Sequence, residues 1–467
     1  MRNPRTIYKC LLILVLFLGL WTCKTNPTSP QITQSVQLSA EYVACTEVWL
    51  RLGFADSPAG GEYRIIRNDE NILNGSFSSL STVVRDTTTV ANTSYTYTLL
   101  KIVDGQTKEI GTQLSVITPD STNHSWTFRT TTMGGGSGIV SNILFDVAVI
   151  NDTLAYAVGA IDHSGVGTLD SAGNPIYPYN LEKWDGHSWF PMTLTYSCHL
   201  YSPDCGGQTN LYAPASALFA FGPNDIWVAA GAIHHFDGTA WSQEAGIQGA
   251  GFANKMWGSS SGDLWFVGYN GFICERTSDG NWEQFSGVTT LNLKDVWGAH
   301  DGSALFAAGY DQTGQIGEIF EFDGTNWKSV YSIAPGDPRW GTREVDSLCG
   351  VASSIWTMSG RGLWSGTTSG VYHSIFVDGK RYDRISWAPD YRIGFIERLY
   401  GEDDNDLFVV GDFNTIAHWN GSTWFDYSSL FDIQTSSSLK SVSVGDNTFI
   451  AVGTYSGKAE IIVGSRE

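Results

Sequence analysis

Lys255-Met256-Trp257-Gly258, Leu264-Trp265-Phe266-Val267-Gly268 and Asp279-Gly280-Asn281-Trp282 are three phrases of one unit, and they recur along most of the chain. The middle phrase, an apolar run closed by glycine, returns at 155–159, 226–231, 305–309, 355–360, 407–411 and 449–453. The last phrase returns as Asp185-Gly186-His187-Ser188-Trp189, Asp237-Gly238-Thr239-Ala240-Trp241, Asp323-Gly324-Thr325-Asn326-Trp327 and Asn420-Gly421-Ser422-Thr423-Trp424, with a weaker copy where Tyr382 follows Asp378-Gly379. The first phrase returns as Asp295-Val296-Trp297-Gly298, Leu348-Cys349-Gly350, Arg398-Leu399-Tyr400-Gly401 and Val442-Ser443-Val444-Gly445. Each unit predicts strand A ending in Gly, a short turn, strand B ending in Gly, strand C, an Asp-Gly turn, and strand D opening with Trp. Asp-Gly and Asn-Gly suit two-residue hairpin turns because both positions accept positive φ. A four-stranded meander repeated every ~40–50 residues is the signature of a β-propeller blade. Seven glycine-terminated B strands predict seven blades.

The last unit, 439–465, has no Asp-Gly-x-x-Trp. Its missing piece lies upstream, at Asn123-His124-Ser125-Trp126-Thr127-Phe128, where His124-Ser125-Trp126 repeats His187-Ser188-Trp189. Residues of about 124–131 are therefore expected to supply the outer strand of the last blade, joining the ends of the ring and removing an open edge. Gly134-Gly135-Gly136-Ser137-Gly138 then reads as the crossing into the first blade.

Composition agrees with an all-β class. The 467 residues include 52 Gly, 18 Trp and 20 Tyr, yet only 16% are charged. Lys and Arg number 27 against 47 Asp and Glu, a formal charge of −20. So acidic a surface repels phosphate backbones and anionic headgroups, which argues against a nucleic-acid partner.

The N-terminus reads as an export signal. Arg2, Arg5 and Lys9 precede an apolar run over 10–21, too short to span a bilayer comfortably. The run ends at Leu20-Trp21-Thr22-Cys23, after which the chain turns polar. This stretch resembles the lipobox of bacterial lipoproteins, with Thr22 where Gly, Ala or Ser is usual. The resemblance implies a signal peptide over 1–23, lipidation of Cys23, a linker over 24–34 and an extracytoplasmic protein anchored to the cell envelope, at the outer membrane; plain secretion is the alternative. Cys198 and Cys205 close a short loop that an oxidising compartment favours as a disulfide. Cys45, Cys274 and Cys349 sit in strand-like runs as small hydrophobes.

Residues 35–120 alternate in short strands separated by turn signals such as Asn68-Asp69 and Asp104-Gly105. That size and strand number suit an immunoglobulin-like sandwich. Tyr63-Arg64-Ile65-Ile66-Arg67, Asp86, Val90 and Tyr95-Thr96-Tyr97 resemble a fibronectin type III domain, with Phe54 where the family usually has tryptophan. The resemblance makes Tyr95 the corner tyrosine and the module a spacer or weak binder. Residues 121–467 form the propeller, whose units resemble kelch, WD and Asp-box repeats without matching any one definition.

Loop length points to the working face. The A-to-B and C-to-D turns stay short, whereas insertions fall between B and C, or between D and the next A, at 160–180, 192–216, 310–317, 331–344, 361–370 and 383–395. Those connections emerge on one face, and repeat proteins commonly bind there. The insertions carry Tyr177, Tyr179, Tyr201, Tyr310, Trp340, Trp364, Trp387 and Tyr391 beside Arg339, Arg343, Arg361 and Arg392. Aromatic faces stack on sugar rings, and the same residue types dominate protein hot spots, so a polysaccharide or glycan, or a cell-surface protein, is the expected partner. The repeated Trp189, Trp241, Trp282, Trp327 and Trp424 are expected between blades.

No catalytic constellation, metal site or cofactor is expected. Gly258-Ser259-Ser260-Ser261-Gly262 matches a hydrolase pattern but occupies an A-to-B turn, as does the acidic Glu402-Asp403-Asp404-Asn405-Asp406. His234 and His235 are adjacent on a strand and face opposite ways. The enzymatic alternative is a glycosidase or sialidase-like hydrolase on the same face, with Asp337 and Glu344 as acid and base and Arg339, Arg343 and Arg361 holding a carboxylated sugar.

Overall fold

A computed structural model describes residues 36–54, 61–77, 79–111, 113–134, 142–163, 168–169, 175–176, 179–197, 211–245, 247, 249, 251, 253–299, 302–311, 316–333, 354–356, 363–367, 370–374, 385–387, 396–431 and 436–466. Among them, no helix is long and apolar enough to cross a membrane. The segment expected to hold the export signal, Cys23 included, lies outside the described residues, as do Cys198 and Cys205. The chain forms two compact units: Met1–Ser39 with Arg51–Thr82 and Tyr97–Gln113, and Ala40–Leu50 with Val83–Thr96 and Leu114–Glu467.

The N-terminal strands make two antiparallel groups. Val36–Val43, Val48–Phe54 and Ser81–Asp86 form a three-stranded sheet. Glu70–Phe77, Gly61–Arg67, Ser94–Val103 and Gln106–Ile110 follow in that order in a second, where Leu114–Ile117 also pairs with Ser94–Val103. Alternation is plain in Gly61–Arg67, where Tyr63 and Ile65 are buried. Phe54 is buried against the ring of Phe77, centroids 4.2 Å apart, and the Tyr95 hydroxyl accepts the Val90 N–H at 2.9 Å.

Besides two short two-stranded ladders, Thr168–Leu169 with Pro175–Ile176 and Thr195–Tyr196 with Leu211–Tyr212, the remaining described strands build seven four-stranded antiparallel sheets, six of them wholly in chain order. Their first strands are Ile143–Asn151, Ala217–Gly222, Ala253–Gly258, Asn292–Gly298, Ser354–Trp356, Ile396–Asp403 and Ser437–Val444. Each of these packs beside the first strand of the next sheet, and the seventh packs beside the first. A closed ring of inner strands with meanders radiating from it is a β-propeller.

The strand that closes the ring is Trp126–Met133, which pairs along its whole length with Lys458–Arg466. It takes the place of an outer strand in the seventh sheet. Arg466 fixes the joint: its Nη2 donates to both oxygens of Asp406 at 2.6 Å, and its guanidinium lies 4.5 Å from the centre of the Trp126 indole. Asp406 also accepts from His418 Nε2 at 2.7 Å. Part of the acidic A-to-B turn is therefore an ion-pair clamp.

Repeated tryptophans pack between sheets. Trp241 meets Tyr156 of the preceding sheet, Trp327 meets Trp265, Trp424 meets Trp364, and Trp126 meets Phe408, with centroids 5.3–6.4 Å apart. Edge-on pairs of this kind add to the large apolar area each ring removes from water. The Asp-Gly turns differ from the expected two-residue hairpins. Only glycine takes positive φ, 95° at Gly186 and 91° at Gly238. The preceding carboxylate caps the following amides instead: Asp237 Oδ1 accepts from Thr239 N at 2.8 Å and Ala240 N at 2.9 Å.

The fifth sheet departs from the expected order by one strand. Residues 355–360 were expected as its B strand, but Ser354–Trp356 is the inner strand, and Leu363–Thr367, Gly370–Ser374 and Ile385–Trp387 follow it outward. Apolar runs ending near glycine occur in both A and B strands, so local pattern does not say which strand faces the axis.

The glycine closing strand B has a steric cause. Gly159, Gly309 and Gly453 pair with Leu144, Leu293 and Leu439 of the inner strands. A Cβ there would lie 2.1 Å from Ile143 O, 2.5 Å from Asn292 O and 2.0 Å from Ser438 O. Backbone cannot yield as a side chain can, so Gly309→Ala or Gly453→Ala should cost about 1–3 kcal/mol. Gly222→Ala, with nothing within 4 Å of the added atom, should be near neutral in the same thermal or denaturant melts.

Glu460 yields a pH-dependent expectation. It is 2% exposed, Asn414 Nδ2 reaches its Oε1 at 3.4 Å, and its Oε2 has no partner among the described residues. Burial pushes its carboxyl up to about 7. The raised folded value means that its contribution is favourable at low pH and is lost as pH rises from the unfolded value of 4.5 through about 7. Glu460→Gln should therefore melt close to the parent at about pH 5 and above it at about pH 8.

Candidate functional site

The inner strands do more than pack. In five of them, among the described residues, the ladder slips by one residue at the same level: between Leu144 and Asp146, Ala253 and Lys255, Leu293 and Asp295, Ile396 and Arg398, and Leu439 and Ser441. A bulge puts two residues opposite one and re-aims both. The extra residues, Phe145, Asn254, Lys294, Glu397 and Lys440, are half-buried and line one cavity, whereas the residues after them turn inward and are buried.

The inward set forms a plug of opposite charges. Lys255 Nζ donates to Asp146 at 2.7 and 2.9 Å, and Asp146 also accepts from Ser441 Oγ at 2.7 Å and Leu218 N at 3.1 Å. Arg398 Nη1 donates to Asp295 at 2.5 Å, and Asp295 accepts the Ile355 N–H at 2.9 Å. These contacts join inner strands far apart in the chain. Burial alone would raise the Asp146 pKa, but Lys255, Arg398 and Ser441 outweigh it and hold the carboxyl below its ordinary value. Lys255 is itself pulled down by burial, since the attraction of Asp146 is opposed by nearby Arg398.

Above the plug the cavity encloses about 480 Å³. Its wall includes Ala213 and Pro214 from the connection between the first two sheets, and Tyr269 from the turn after Leu264–Gly268. It therefore opens on the face that carries the long insertions. Lys294 Nζ stands 5.3 Å from the ring centres of both Tyr269 and Tyr310. Burial lowers its pKa, with Glu397 raising it and Lys440 lowering it further. Lys440 Nζ pairs with Glu397 Oε1 at 2.5 Å, and Asn254 Nδ2 donates to Leu293 O at 2.7 Å. Among the described lining residues, two amines against one carboxylate make this mouth net positive in a chain of charge −20.

Of the residues singled out from sequence, Tyr310 lies on this cavity, at the end of Leu305–Tyr310. Tyr179 begins Tyr179–Trp184, half-buried, its ring edge-on to His163 at 5.2 Å. Trp364 differs from the expected loop position: it is 3% exposed, sits on the second strand of the fifth sheet and packs on Trp419 and Trp424. Trp387 belongs to an outer strand, paired with Val371, and not to a loop. Tyr177, Tyr201, Arg339, Trp340, Arg343, Arg361, Tyr391 and Arg392 lie outside the described residues, as do Asp337 and Glu344. Sequence reading missed Lys294, Lys440, Glu397, Asn254 and Tyr269. A signal for four of them exists: Asn254-Lys255, Lys294-Asp295, Glu397-Arg398 and Lys440-Ser441 each place two polar residues in succession where a strand with one buried face should alternate.

Other motifs have structural partners. Ser259, Ser261 and Asp263 hydrogen-bond one another within their turn. His235 stacks on Trp227 and bonds Asp225 at 2.9 Å, while His234 is buried. No group of three or more His, Cys, Asp or Glu residues able to hold a metal occurs among the described residues.

No family model matches the chain, and no curated protein matches it. Solved structures do resemble it. YCF48 from Cyanidioschyzon merolae aligns at 12% identity over 72% of this chain and 98% of its own, with a TM-score of 0.46. The WD40 β-propeller domain of Doa1 aligns at 12% identity over 72% and 96%, also at 0.46. The Dos1 propeller aligns at 11% over 72% and 94%, at 0.41.

Removing one member of the plug strands its partner. Asp146→Ala should cost about 3–5 kcal/mol in denaturant melts, because Lys255 is left buried and uncompensated. The double variant Asp146→Leu/Lys255→Met should recover most of that loss.

Proposed function

We propose that the protein is a non-enzymatic binding module: a seven-bladed propeller preceded by a fibronectin type III-like spacer, lipid-anchored through Cys23 outside the cytoplasm. It recognises a glycan or a protein through the loop-bearing face. The observation that carries this reading is the cavity at the mouth of the central channel. Its size falls within the range of ligand sites, and it combines apolar walls with a few convergent polar groups. The bulged inner strands hold those groups on rigid backbone, which suits recognition better than side chains borne on loops.

Within this cavity the described residues suit binding. A glycosidase needs two carboxyl groups flanking the bond to be cut, whereas Glu397 is the one carboxylate among the described lining residues and is held by Lys440.

Immobilised full chain should retain specific glycans or cell-surface proteins from an array and a surface extract, and Tyr310→Ala should remove that retention while leaving the melting temperature within about 3 °C. Retention that is indifferent to Tyr310→Ala would overturn the assignment of this face.

A further inference from the structure

We propose that the channel mouth is a site for a carboxylated sugar ring, with Lys294 taking the carboxylate and Tyr269 and Tyr310 bracketing the ring. The inference rests on the binding-module reading above and names its ligand class.

Three observations converge on it. The first is Lys294, which has no hydrogen bond or ion pair among the described residues and instead lies between two tyrosine rings, 5.3 Å from each centre. An ammonium partly withdrawn from water is costly unless an anion joins it, and here the nearest carboxylate, Glu397, is taken up by Lys440 at 2.5 Å.

The second is Arg398 in the cavity wall. It is 7% exposed, gives its Nη1 to Asp295, and adds a further cation to the lining beside Lys294 and Lys440. The third is the balance of charge and surface. The plug below is neutral, with two cations and two carboxylates, so the mouth carries one net positive charge from Lys294, Lys440 and Glu397. That matches a monoanion better than a phosphate of higher charge. Phe145, Tyr269 and Tyr310 offer aromatic faces for the C–H face of a sugar, while Asn254 keeps its side-chain carbonyl for a hydroxyl after giving its amide to Leu293 O.

Calorimetric titration of the purified full chain with glucuronate and galacturonate tests this, against glucose, galactose and acetate. Polygalacturonate and starch, as chain-length counterparts, distinguish a free sugar acid from a residue within an acidic polymer. Uronate, alone or within the polymer, should bind at least about ten-fold tighter than its neutral counterpart, and Lys294→Gln should erase most of that margin. Glu397→Gln, which frees the second amine, should strengthen binding several-fold, and added salt should weaken it. Equal affinity for neutral and acidic sugars, acetate binding as well as uronate, or unchanged affinity in Lys294→Gln would each overturn the inference. If uronates fail while a neutral glycan or protein is still lost on Tyr310→Ala, the ligand class is wrong and the binding-module reading survives. If that variant loses nothing, the reading itself falls.

Discussion

Four charges buried near the axis of the ring, Asp146 with Lys255 and Asp295 with Arg398, are the interaction on which the rest of the structure turns. The pairs lie 109 and 103 residues apart in the chain, and each joins two sheets with one sheet between them. A propeller closes by packing wedge against wedge, and apolar packing alone tolerates small slips between neighbours. A buried ion pair does not, because separating its members leaves charge in a medium that cannot solvate it. We regard the plug as a registry device more than as a source of net stability. Its carboxylates also take up the Leu218 and Ile355 amides, so inner-strand backbone ends on the same charges.

The plug and the cavity have a single origin. One extra residue in an inner strand sends the next side chain inward and leaves its own facing the mouth. At three of these bulges the carbonyl two residues before the extra one lies against the second strand, where a Cβ would clash and glycine fits. The glycine that ends strand B, the bulge, the buried charge and the cavity-lining residue are therefore one local arrangement repeated around the ring. It explains how a chain with 47 acidic residues presents two amines at this cavity: the bulge places Lys294 and Lys440 there individually, whatever the sign of the remaining surface.

Most of the architecture was legible because a blade is a local object. Four strands in chain order need only turn chemistry and alternation, and both are written within ~40–50 residues. Even the long-range closure could be read, since a unit without its outer strand leaves a gap that Trp126 and its neighbours fill. Reading failed at the fifth sheet, where Leu363-Trp364 is the counterpart of Leu264-Trp265 but stands behind a second apolar run at Ile355-Trp356. With the register displaced by one strand, a core tryptophan falls where the local pattern places a loop.

By itself the sequence determined the strand content, the repeat, the turn positions, the place of the closing strand and the face that carries the insertions. Each follows from backbone preference and from burial of one strand face, which act over a few residues. Only the tertiary structure decided which inner-strand residues meet across the axis, that Asp146 answers Lys255 and Asp295 answers Arg398, and that Lys294, Tyr269 and Tyr310 share one cavity. Apart from Lys294 and Tyr310, which sit on adjacent strands of the fourth sheet, those partners belong to different sheets, and the ring sets the distance between them.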